Sequence, residues 1–381
     1  MQSRFIAMVL LALPVVAQEG KQHFLLNNGT PEGQIIQSIT QETDDAKKLA
    51  LAQDFLAKYP KNEGAGWVTG RLQSIYLTQK EYDKALDAGE KALANGPNDV
   101  DVSYYCLKAA EGKEDVELVK KWSTRTSEAA RKITGSGKAP GDDDEKQFVE
   151  YAKGVDAYSE YVFMALALKT RDAKKIVELG EALEQRNQKS QYMPQMSGIY
   201  LNAMAQSGQG GKACTSANKL AAANAKDGEA LLFAGDCALH ANNAAGAVSA
   251  VSYGTRAVDA INSRAKPEGV SDSEWAVRKA ALLGRANWIV GVGNGAQNKF
   301  GPANKALRAA LPMVKGDAQL TATALYYLGS ANYYLGKGIG DKRQMREGLQ
   351  FFEQCAAMTS SLQGEAARSA RLIRTELGIA K

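Results

Sequence analysis

Few residues in this 381-residue chain have types and spacings suited to chemistry. There are two histidines, His23 and His240. A histidine-dependent triad would have to use one of them. His23 lies in a polar lead-in and His240 ends a helical pattern, so a surface histidine is the simpler reading of each. No HExxH or CxxC spacing occurs, and no His/Cys/Asp/Glu grouping has metal-ligand spacing, so no metal site is expected. Gly135-Ser136-Gly137-Lys138 begins like a phosphate loop. That motif needs a first glycine where Lys132 stands and a Ser or Thr where Ala139 stands. Gly291 to Gly295 and Gly336 to Gly340 each read G-x-G-x-G. A dinucleotide fingerprint would follow a strand, whereas these runs follow helical patterns. They read as a glycine helix stop with a flexible turn; the alternative is a small edge site made by two stacked loops. No catalytic residue is assigned and no cofactor is expected.

The elements that would position any site repeat. Leu-Gly-x-Ala-Asn-aromatic occurs at 283–288 and again at 328–333, which places Gly284 and Gly329 45 residues apart. Self-similarity at such a period signals a repeat array. A second pattern, small or apolar residues at i, i+4 and i+7, lies on one helix face. It occurs as Ala85, Gly89, Ala92; Ile176, Gly180, Leu183; Ala213, Ala217, Leu220; Ala250, Gly254, Ala257; Ala303, Leu307, Ala310; and Gly348, Phe352, Cys355. Gly198 and Gly235 lie 15 residues before their second-helix residues, and Gly284 and Gly329 lie 19 before theirs. The extra residues are expected between the two helices, where insertions cost little. The coarse reading is helix throughout, with no convincing strand.

Residues 64–97 form the clearest unit. Leu72, Tyr76, Tyr82, Ala85, Ala92 and Pro97 fall on one packing pattern. It resembles the tetratricopeptide repeat, a helix–turn–helix unit of about 34 residues. Gln73 stands where that family prefers a small residue, and Gly89 where it prefers an aromatic. The resemblance covers most of 33–360, and it is weak over 99–187. It implies an all-α, right-handed α-solenoid of about seven stacked helical pairs.

In that family the first helices line a concave groove. Carried over by position, the groove residues are Asp236, His240, Arg285, Trp288, Tyr326, Ser330, Tyr333 and Tyr334. The family's two-carboxylate clamp is not inferred: Asn287 and Asn332 lie two positions beyond the expected place, and Ala281 replaces a lysine. Because consecutive solenoid helices are neighbours, Cys214 and Cys237 are either a disulfide stapling adjacent repeats or two buried thiols. Cys106 and Cys355 lie in distant repeats and read as small core residues.

The formal charge of +5 is weak for this length, and the basic residues are mixed with acidic ones, so no nucleic-acid footprint is read. Arg4, the apolar run Phe5 to Ala17 and the small residues Val15-Val16-Ala17 resemble a signal peptide cut after Ala17. No stretch is apolar for long enough to span a bilayer, so no stable membrane insertion is expected. The expected organisation is a leader at 1–17, a loose lead-in at 18–32 and a first helical block at 33–134. A linker at 135–145, a second block at 146–360 and a capping helix at 361–381 complete it. The expected function is a non-enzymatic interaction scaffold of a bacterial envelope, periplasmic or secreted, holding a protein or peptide partner in the groove. The alternative is a carrier of small molecules or glycans that uses Trp288 and the Tyr326–Tyr334 cluster as stacking platforms.

Overall fold

A computed structural model describes residues 29–135, 141–267 and 269–379. The proposed leader and residues 18–28, His23 among them, lie outside these. Among the described residues there are seventeen helices and no strand. They divide into two compact units between Arg186 and Asn187.

The N-terminal unit contains α1 (Pro31–Gln41), α2 (Asp45–Lys58), α3 (Ala65–Thr78), α4 (Tyr82–Asn95), α5 (Val100–Gly112), α6 (Val116–Thr134), α7 (Asp143–Lys169) and α8 (Ala173–Arg186). The C-terminal unit contains α9 (Met193–Gln206), α10 (Gly210–Ala223), α11 (Gly228–His240), α12 (Ala244–Ser263), α13 (Asp272–Ala296), α14 (Phe300–Val314), α15 (Ala318–Ile339), α16 (Lys342–Ala356) and α17 (Gln363–Leu377). Short polar residues start many of these helices by accepting hydrogen bonds from the first free amides. Asp44, Asp99, Asp115, Asp142, Asp227, Asn243, Asp317 and Asp341 do so. Ser271 and Glu274 form a reciprocal capping box at α13.

Within each unit every helix packs on its neighbours in sequence, and the odd-numbered helices also touch one another: α3 with α5, α5 with α7, then α9 with α11, α11 with α13, α13 with α15 and α15 with α17. That is the contact pattern of stacked helix–turn–helix pairs, with the first helix of each pair forming a row. The small-residue faces seen in the sequence are the packing seams: Ala213, Ala217, Ala250, Ala257, Ala303, Leu307 and Ala310 are completely buried.

Two departures from the repeat pattern explain each other. Gln73 on α3 is fully buried, and its Nε2 donates to Val102 O at 3.1 Å and to Cys106 Sγ at 3.0 Å. A methyl on Gly89 of α4 would lie 2.4 Å from that Nε2. The large residue has moved to α3 and the small one to α4. In α15 and α16 the sizes are reversed, and a methyl on Gly329 would lie 2.8 Å from the Phe352 ring.

Several expectations are corrected. The chain divides at Arg186 and Asn187 rather than at 135–145, because α6 and α7 pack on each other across that stretch within one unit. α1 already begins at Pro31, inside the expected lead-in, and α7 begins at Asp143, inside the expected linker. The extra residues of the twin repeats are not in the turns. They lengthen α13 and α15 to 25 and 22 residues, against 14 and 13 for α9 and α11. The glycine runs therefore do not stop these helices. Gly291, Gly293 and Gly295 are inside α13, where close neighbours require them: added methyls would lie 2.4 Å from Leu307, 2.9 Å from Val251 and 2.4 Å from Tyr327. Only Gly340 acts as a stop, capping α15 in the left-handed conformation.

Candidate functional site

The eight candidate groove residues all lie in the C-terminal unit, and they form two clusters. The first joins α11 to α13. Arg285 places Nη2 2.8 Å and Nε 3.2 Å from Asp236 Oδ2. Its guanidinium also sits 4.8 Å from the centre of the Trp288 ring. Burial raises the Asp236 pKa against the pull of Arg285, and Oδ1 of Asp236 has no hydrogen-bond partner among the described residues. Seven residues earlier on both helices a second rung repeats the first, with Arg278 Nη2 2.7 Å from Glu229 Oε1. Arg264 reaches the same oxygen at 3.3 Å. Trp288 is buried, and its indole N–H donates to Leu320 O at 2.9 Å. Its ring is thus committed to packing rather than offered to a ligand. His240 is exposed, with Nδ1 2.8 Å from Asp236 O of its own helix.

The second cluster is a cleft of roughly 410 Å³. Tyr326, Ser330, Tyr333 and Tyr334 of α15 line it. The end of α13 and the following turn add Gly295 and Asn298, and Phe300 opens α14. Ser369, Leu372 and Ile373 of α17 form the opposite wall. At the mouth, Phe300 stacks on Tyr334 with ring centres 4.7 Å apart. At the floor, Tyr326 meets Phe352 edge-on at 5.4 Å.

Two polar clasps hold α17 to α15 on either side. The Tyr326 hydroxyl donates to Glu365 at 2.5 Å. The Tyr333 hydroxyl donates to Glu376, while Lys337 donates to the same hydroxyl at 2.9 Å and pairs with Glu376 at 3.0 Å. Burial raises both tyrosine pKa values, and the neighbouring carboxylates add to the rise. The Glu376 carboxyl is held down by the Tyr333 hydroxyl and Lys337. These tyrosines therefore stay neutral hydrogen-bond donors at ordinary pH.

Position-by-position reading of first helices missed Phe300, Tyr327, Leu372 and both clasp carboxylates. For Leu372, Glu365 and Glu376 the signal was present only as unexplained polarity and apolarity on the terminal helix. It also missed an aromatic cluster in the weakly patterned 99–187 segment. There, the Tyr158 hydroxyl of α7 donates to Glu111 of α5 and accepts from Lys108 at 2.7 Å. Tyr151 donates to Asp101 at 2.5 Å, and Tyr104 meets Tyr158 edge-on at 5.3 Å. The same Lys–Tyr–Glu chemistry thus ties successive first helices in both units.

The structure joins Cys214 of α10 to Cys237 of α11 in a disulfide, with Cα atoms 5.8 Å apart. Cys106 and Cys355 are buried free thiols. Burial pushes the Cys106 thiol up to about 12, which keeps it protonated and unreactive. Among the described residues no group of three or more His, Cys, Asp or Glu is placed to hold a metal ion, and no helix is long and apolar enough to cross a membrane.

No protein-family model matches the chain. No curated protein matches it either. Among solved structures, the tetratricopeptide domain of P58(IPK) is similar over 91% of this chain and 99% of that one, at 12% identity and a TM-score of 0.27. That superposition is loose; the helical-repeat fold rests on the helix order and packing of the chain itself.

Proposed function

We propose that this protein is a non-enzymatic interaction scaffold that holds a peptide or partner segment in the cleft between α15 and α17. The observation that carries the reading is the convergence of Tyr326, Ser330, Tyr333 and Tyr334 with Phe300 and Leu372 around one open cleft of mixed polar and apolar lining. Pockets of about 300–1,000 Å³ with apolar walls and a few polar groups are the usual shape of ligand sites. Aromatic anchors in such pockets contribute most of the energy in protein recognition. The clasps pre-set the tyrosines, so little side-chain freedom is lost on binding.

We place the scaffold outside the cytosol, in a bacterial periplasm or secreted. The leader-like residues 1–17 support this, and so does the disulfide, since such bonds persist in oxidising compartments. The exposed Tyr334 ring also suits stacking on a glycan, which keeps the carrier reading as the second choice; Trp288 no longer supports it.

The test is site-specific photocrosslinking in native envelopes, from Tyr334 or Leu372 and from Val277, an exposed control on α13. A defined protein band from the cleft positions and none from Val277 supports the scaffold. Equal labelling from all three positions would remove the cleft from the proposal.

A further inference from the structure

The chain's charge is unevenly divided. Residues 187–381 carry 22 Lys and Arg against 13 Asp and Glu, and residues 1–186 carry 25 against 29. The modest total of +5 conceals a C-terminal half at +9. A basic half of this size is an electrostatic feature of the kind that selects anionic partners.

Part of the excess stands around the cleft. Arg368 precedes the lining residue Ser369 and lies one turn before Leu372, and Arg371 adjoins Leu372. Lys299 adjoins the lining Phe300. All three are exposed, and no ion pair joins any of them to a carboxylate among the described residues. The acidic groups at the rim are Glu365 and Glu376, and both are engaged: Glu365 by Tyr326, and Glu376 by Tyr333 and Lys337. The apolar side of the mouth is uncovered. Tyr334 is 51% exposed and Leu372 61%.

We infer that the partner at this cleft is an acidic peptide segment, which seats one aromatic or branched aliphatic side chain among Phe300, Tyr334 and Leu372 and sets its carboxylates against Lys299, Arg368 and Arg371. The inference rests on the scaffold reading above and adds the chemistry of the partner. Burial of the anchor supplies affinity, and the basic rim supplies selectivity and a faster, salt-dependent encounter. A nucleic acid would match the charge. Single-stranded binders, however, need a row of stacking rings along a groove, and here the exposed aromatic surface is one compact mouth.

The experiment is fluorescence anisotropy with the full chain and four probes. One is a labelled peptide with a central phenylalanine flanked by glutamates. The others are the same peptide with the phenylalanine replaced by serine, the same peptide with lysines in place of glutamates, and a labelled single-stranded oligonucleotide. The acidic phenylalanine peptide should bind at least tenfold more tightly than either altered peptide. R368E/R371E should weaken it at least tenfold, and helical circular dichroism should be unchanged. Equal binding of the acidic and basic phenylalanine peptides, lost in Y334S, would overturn the acidic partner and leave the scaffold reading standing. Binding of neither phenylalanine peptide would sink both. Tighter binding of the oligonucleotide, with the same loss in R368E/R371E, would replace the peptide by a nucleic acid.

Discussion

Replacing Gly89 with alanine tests the size exchange between α3 and α4. Glycine to alanine inside an exposed helix stabilises by about 1 kcal/mol. Here the added methyl would sit 2.2 Å from Cys106 Sγ and 2.4 Å from Gln73 Nε2. Overpacking of a close-packed core costs roughly 1–3 kcal/mol. Displacing the Gln73 amide also strips its bonds to Val102 O and Cys106 Sγ, and a buried donor left without a partner costs about 1–3 kcal/mol. The penalties outweigh the propensity gain, and G89A should lose about 2–3 kcal/mol. Q73A alone opens a void but also removes Gln73 Oε1, a buried oxygen with no hydrogen-bond partner among the described residues, so its loss should be smaller. In Q73A/G89A the new methyl moves into the vacated space. The double variant should therefore be more stable than G89A by at least about 1 kcal/mol. Urea unfolding of the four proteins, followed by helical circular dichroism at constant m, measures this. A G89A midpoint equal to or above the parent, or strict additivity in the cycle, would refute the argument.

Three further outcomes are expected. Closing a loop with a sequence separation of 23 by the Cys214–Cys237 bond removes unfolded-state entropy. C214S/C237S, or reduction by dithiothreitol, should therefore lower stability by about 3 kcal/mol in denaturant melts, and unchanged melts would exclude a structural role. Burial holds the Asp227 pKa above its unfolded value, so its contribution is full below that value and fades as pH rises through the folded pKa. D227N should gain on the parent in thermal melts between pH 4 and 7, by at most roughly 1.4 kcal/mol per pH unit, and a pH-independent difference would show that the carboxyl titrates normally. Because the Trp288 ring is buried and bonded to Leu320 O, its emission in a variant lacking the other three tryptophans should not change with oligosaccharides; a saturable shift would restore the carrier reading.

Much of the fold is legible in the residues. The i, i+4, i+7 faces of small side chains name the packing seams, because only small residues let helix backbones approach closely. The N-caps are legible for a different local reason: short Asp, Asn and Ser side chains accept from the first free amides. The twin Leu-Gly-x-Ala-Asn-aromatic stretches mark α13 and α15. In the sequence alone the extra length of their repeats reads as turn, since insertions between helices cost little and glycine runs look like stops. Inside the unit, Leu307, Val251 and Tyr327 occupy the space that side chains at Gly291, Gly293 and Gly295 would need, and the helix continues.

The chain by itself determined the class of architecture and the small-residue packing faces, since those depend on periodicity within about one helix pair. Only the tertiary structure decided what the cleft is. Its opposite wall comes from α17, its mouth from Phe300, and its clasps from Glu365 and Glu376, groups 39 and 43 residues from the tyrosines they bind. It also separated Trp288, which packs inward, from Tyr334, which faces out. Both are aromatics of first helices. Which one meets solvent depends on the neighbouring helix, and a linear pattern carries no term for that.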